Sequence, residues 1–173
     1  MLPAARALIA ELDAEAPITR RVLERVPTDR LQWQPHEKSL TLGQLAQHIA
    51  LIPASMVRLS QQSGVDMATR RMEYVQGEST PAILATFDGS VAFAKAALDG
   101  LEDGAAKETW RMTAGDREIF SMPRIEMMRL MGLHHQIHHR GELVVYLRLL
   151  DLPVPVVYGK SADENPFAQP AAV

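Results

Sequence analysis

The chain has 173 residues, 47% of them apolar and 23% charged, with a net charge of −3 and no cysteine. That is enough chain to bury a sizeable core in one domain, 1–173. The composition excludes disulfides, thiolate metal sites and a cysteine nucleophile, and it supplies no basic field for a nucleic-acid duplex.

From about Pro3 to Val26, Leu8, Ile9, Leu12, Val22, Leu23 and Val26 recur at spacings of three and four, the period of a first helix. Pro17 interrupts it with a kink or bend, and Pro27 ends it. Leu31 and Trp33 are expected to pin the loop that follows. Thr41 with Gln44 forms a capping box opening a second helix, whose apolar stripe is Leu42, Leu45, Ile49, Ile52, Met56 and Leu59. His48 lies on the flank of that stripe, and Pro53 removes a backbone donor about one turn later. The helix is expected to end near Gly64.

Residues 65–79 read as a long connection. Thr80 as N-cap and Pro81 at the first helical position open a third helix expected to bury Ile83, Leu84, Phe87, Val91, Phe93, Ala94 and Leu98. Gly89 costs that helix stability or admits a close partner. Alternation on both sides of Ala114-Gly115-Asp116 predicts a short β-hairpin in the crossover, a structured loop being the alternative. A last helix runs from Pro123 to about Leu150. The remainder, 151–173, carries four prolines and reads as an extended tail. Four helices joined by connections of more than ten residues imply an all-α protein with long crossovers, some sequential helices running parallel.

The start of the chain lacks the basic flank, apolar run and cleavage site of a signal peptide. No run approaches the roughly 18 consecutive apolar residues of a spanning helix. A cytoplasmic protein without a membrane or nucleic-acid partner is the expectation.

The chemistry concentrates in Leu133-His134-His135-Gln136-Ile137-His138-His139-Arg140-Gly141-Glu142, which holds four of the six histidines. Residues four apart share a helix face, so His134/His138 and His135/His139 are two candidate ligand pairs for one ion, and His48 is the candidate third ligand. Glu126, Arg129, Gln136 and Arg140 mark a polar side of this helix, opposite Met128, Met131, Val145, Tyr146 and Leu149. Glu142 is expected to point inward between the pairs, and Arg140 to be solvated. Periodicity leaves the choice of pair open. No glutamate follows the first histidine of either pair, which rejects the zincin pattern. The methionines at 122, 127, 128 and 131 read as adaptable packing or a dimer face.

Trp33-Gln34-Pro35, Lys38-Ser39 and Thr41-Leu42-Gly43-Gln44-Leu45-Ala46-Gln47-His48-Ile49 together resemble the first motif of the DinB superfamily. His135-Gln136-Ile137-His138-His139-Arg140-Gly141-Glu142 resembles its last motif, and the closing 158–164 is similar to the ending of many members. The resemblance implies an up-down-down-up four-helix bundle, often a homodimer, with a divalent metal on three histidines. Carried onto this chain, the ligands are His48, His135 and His139, with His138 beside the site. Glu142 departs from the family's usual glutamine and would either orient an imidazole or act as a base, a salt bridge with an arginine being the alternative. Known relatives imply a transferase that conjugates a low-molecular-weight thiol to a small electrophilic substrate. A hydrolase in which the ion activates water, and a non-catalytic, stress-associated metal-binding dimer, are the competing readings. Zinc, nickel, iron and manganese all suit three imidazoles.

Overall fold

The computed structural model describes residues 3–168; the last five positions of the expected tail lie outside them. Most of the chain is helical. Four long helical segments are α1 (Pro3–Leu23), α2 (Leu42–Ser60), α3 (Thr80–Asp99) and a last one in three parts. Those parts are α5 (Arg124–Met128), a π-helical turn at Arg129–His134, and α6 (His135–Leu149). Helix α2 packs on α3 and α6, and α1 packs on the same two helices.

Two apolar clusters hold these helices together. One joins Leu8, Leu12, Met56, Leu98, Met127 and Leu133 to the buried Trp110. The other joins Leu23, Leu45, Ile49, Phe87, Leu143 and Leu147 to Val154 of the tail. Helix α3 is rich in apolar residues. It buries Ile83, Phe87 and Leu98 in these clusters, but Phe93, expected on the same face, lies exposed under the Arg58 guanidinium. Its Asp88 and Lys95 form ion pairs with Arg20 and Asp13 of α1.

The start of α2 is as expected. The Thr41 hydroxyl accepts from the Gln44 backbone at 3.1 Å, and the Gln44 carboxamide accepts from the Thr41 backbone at 3.0 Å. The start of α3 differs by one position: the Ser79 side chain, not Thr80, accepts from the Ala82 N–H. The Thr80 hydroxyl instead donates to the Val26 carbonyl and ties α3 to the turn that follows α1. Among the described residues nothing comes within 4 Å of a Cβ built at Gly89, so no contact within the chain requires glycine there.

The all-α expectation needs correction, because the chain contains a three-stranded sheet. The predicted hairpin forms between β2 (Thr109–Ala114) and β3 (Arg117–Pro123), with Gly115 at φ 60°, a left-handed value that suits glycine. A third strand, β1 (Gly64–Asp66), pairs in parallel with β2. It lies within the stretch read as the end of the second helix and a plain connection. The Asp66 carboxylate accepts from the Gly115 and Ala68 N–H groups, each at 2.9 Å, and so fastens the hairpin turn to this strand. A short helix, α4 (Asp103–Lys107), lies between α3 and the hairpin. Pro123 closes β3 and precedes α5 instead of opening the last helix.

The polar side assigned to the last helix also needs correction. Gln136 and Arg140 are each only 1% exposed, whereas Val145 and Leu149 lie in solvent. The π-helical turn is the cause. It inserts one residue into the helical repeat and turns everything after it by about 100° relative to Met128. Beyond the turn the buried positions are Gln136, Arg140, Leu143 and Leu147, a regular stripe of its own.

Candidate metal centre

Helices α2 and α6 meet through a backbone group that Pro53 leaves free. Proline has no N–H, so the Ile49 carbonyl one turn earlier lacks its helical donor. The buried Gln136 carboxamide supplies one, donating to Ile49 O at 3.1 Å. The next N–H, that of Ala54, donates to the buried Ser90 hydroxyl of α3 at 2.8 Å. Ile49 follows His48 and Gln136 follows His135, so this bond sets the two histidines at one level. Gly132, in the π turn, lets the helices come this close. A Cβ there would overlap the Met56 side chain of α2 along much of its length.

The structure brings His48, His135 and His139 together, half-buried, with one nitrogen of each within 4.8 Å of the others. The Nε2 atoms of His48 and His135 are 3.2 Å apart. An ion bound to two imidazoles at about 2.0–2.1 Å in tetrahedral geometry separates their nitrogens by about 3.3 Å. The rings of His48 and His139 lie 4.7 Å apart between centroids, and those of His135 and His139 lie 4.4 Å apart.

Burial holds His48 well below the ordinary imidazole range, at about 4, with His139 and His135 adding to the effect. His135 is lowered for the same reason, burial first and then His139 and His138. Both rings are therefore neutral at pH 7, with lone pairs free for an ion. His139 is oriented by Glu142, whose Oε2 lies 2.6 Å from His139 Nδ1. A carboxylate only accepts, so Nδ1 carries the proton and Nε2 is the nitrogen left to ligate. Three imidazole nitrogen donors on two helices fit one divalent ion of borderline softness and leave a position for a further ligand.

His134 is exposed and takes no part in the cluster. His138 is 64% exposed and reaches Glu142 Oε1 at 3.1 Å. Glu142, with a side chain 43% exposed, sits at the outer edge of the cluster rather than pointing into the interior. Its partners are the two histidines and not an arginine. Arg140 is not solvated. Its guanidinium meets the Glu15 carboxylate at 2.6 Å and the Thr19 hydroxyl at 3.0 Å, and it also donates to the Tyr158 hydroxyl. The residue beside His139 thus anchors the tail to α1.

Two neighbours of the cluster were not legible in the sequence. Tyr74, from the connection after β1, packs edge-on against the His48 ring at 5.2 Å between centroids. No periodicity marks an aromatic in an irregular segment. Gln136 had one signal, the orphaned carbonyl that Pro53 implies, but that signal does not name the side chain that satisfies it.

A family model for the DinB family matches residues 1–168. The chain belongs to the DinB family. Among solved structures it is similar to a DinB-like protein from Bacillus cereus, at 22% identity over 83% of this chain and 91% of that one, with a TM-score of 0.63. A DinB-like protein from Bacillus subtilis is 16% identical over 87% of this chain and 97% of that one, with a TM-score of 0.64. A DinB-family protein from Exiguobacterium sibiricum is 15% identical over 90% of this chain and 97% of that one, with a TM-score of 0.63. No functionally curated protein matches. At these identities the DinB-like structures share the fold with this chain. The chemistry must be argued from its own residues.

Proposed function

We propose that this DinB-family chain is a divalent-metal-dependent enzyme, with His48, His135 and His139 as ligands, that transfers a low-molecular-weight thiol to a small electrophile. The observation that carries the reading is the 3.2 Å separation of the His48 and His135 Nε2 atoms, beside a His139 ring whose Nε2 is left free by Glu142. The ion, zinc or nickel in preference to iron or manganese, supplies Lewis acidity that favours the thiolate over the thiol at neutral pH. The protein residues do the rest. His48 and His135 stay neutral through burial and keep their lone pairs available. Glu142 holds the His139 proton at Nδ1, and its carboxylate can also accept a proton as a thiol approaches. His138 lies beside Glu142 and offers that proton a route to solvent. Tyr74 flanks His48 and limits the approach to the cluster.

This reading takes the four long helices as an up-down-down-up bundle. The packing of α2 on α3 across a long connection, and of α1 and α2 each on α6, supports it. A homodimer acting on small molecules in the cytoplasm completes the proposal. The test is a thiol-consumption assay with a panel of electrophiles and metal-free protein. Saturable turnover that requires added zinc or nickel is expected. No turnover, together with a large metal-dependent rise in melting temperature, would make the metal a staple between α2 and α6 in a non-catalytic dimer.

A further inference from the structure

We propose that His138 Nε2 and Glu142 Oε1 form a second, outer site for a divalent cation, linked to the inner histidine cluster through the shared carboxylate. The two oxygens of Glu142 sit in different geometries. Oε2 is 2.6 Å from His139 Nδ1, a short N–H···O hydrogen bond. Oε1 is 3.1 Å from His138 Nε2. One ion bound to a nitrogen and an oxygen at about 2.0–2.2 Å holds them about 3.0 Å apart at a right angle and about 3.4 Å apart at the tetrahedral angle. The first distance is too short for two ligands of one ion, and the second lies within that range.

His138 and Glu142 are four residues apart on α6, so the helix itself fixes their spacing. Both side chains reach solvent, which gives an ion an entry path and leaves its remaining positions to water. Binding requires only that His138 adopt the tautomer with its proton on Nδ1, freeing the Nε2 lone pair. With two protein ligands the outer site is weaker than the inner one. An ion on Oε1 draws charge from the carboxylate and weakens its acceptance of the His139 proton at Oε2. Filling the outer site therefore lowers the affinity of the inner one, and by linkage the reverse holds. The outer site stands on its own geometry and does not require that the inner one be catalytic.

The test is calorimetric titration of metal-free, untagged protein with zinc chloride, with circular dichroism to check folding. The wild type is expected to bind in two steps. His138→Ala should remove the second, weaker step and leave the first midpoint within about threefold. Glu142→Ala should remove the second step and weaken the first by about tenfold, the scale of losing an oriented ligand. A single step in the wild type, or a second step that survives His138→Ala, overturns the outer site. If that single step vanishes in His48→Ala, the inner site and the proposed function still stand.

Discussion

Helices α2 and α6 carry the same candidate site, but they were not equally legible in the sequence. Helix α2 begins at a reciprocal cap between Thr41 and Gln44 and keeps one hydrophobic stripe to its end. Counting residues from the cap therefore places His48 correctly on the flank of the core. The last helix contains a π-helical turn, and counting from Met128 past it puts the wrong face inward. Periodicity is reliable only where the hydrogen-bond ladder is unbroken. The break falls directly before His135, and rare helical geometry of this kind is frequent at functional sites.

The contrast can be tested by mutation, and the largest effect is expected at Arg140. Arg140→Ala should destabilise the protein by about 3 kcal/mol, the lower end for breaking a buried pair, because Glu15 loses its guanidinium and the tail loses its anchor. Urea unfolding measures it. A solvated Arg140, as the uninterrupted wheel predicts, would cost almost nothing. Gln136→Leu should cost about 2 kcal/mol by leaving the Ile49 carbonyl unpaired inside the protein. In a Pro53→Ala background that loss should shrink, since alanine restores the helical donor. A double-mutant cycle with no coupling would contradict the shared role of Pro53 and Gln136.

Thr41→Ala, at the legible end of the comparison, should cost about 1 kcal/mol as an ordinary lost N-cap. The smallest effect is that of pH on the metal-free protein. The pKa of His48 falls from 6.5 to about 4 on folding, so the unfolded chain binds more protons between those values. The stability contribution is complete above pH 6.5 and is lost as the pH falls toward 4. It should be modest because the ring is half exposed. Thermal melts of the wild type and His48→Ala across that window should differ in slope, the mutant being flatter. Equal slopes would contradict a neutral, half-buried His48.

The limits of the sequence reading follow local physics. The hairpin was visible because strands of six and seven residues around a Gly-Asp turn show alternation. Strand β1 was not, because three residues carry no pattern and its partner is distant in sequence. Ser79 and Thr80 are both competent caps, and only the tertiary bond from Thr80 to Val26 decides between them. The i, i+4 spacing proposed two histidine pairs, and the family resemblance favoured the pair that the fold places beside His48. The carboxylate of Glu142 is divided between two histidines that are adjacent in sequence, and no one-dimensional pattern encodes that.

The central claim is that His48, His135 and His139 hold one divalent ion. The most direct measurement is the metal content of purified, untagged protein, beside a His135→Ala/His139→Ala double mutant. The account predicts close to one tightly held ion per chain in the wild type, lost in the mutant while the helical circular dichroism persists. A wild type that is metal-free and binds neither zinc, nickel, iron nor manganese tightly would contradict it. The histidines would then be packing residues between α2 and α6.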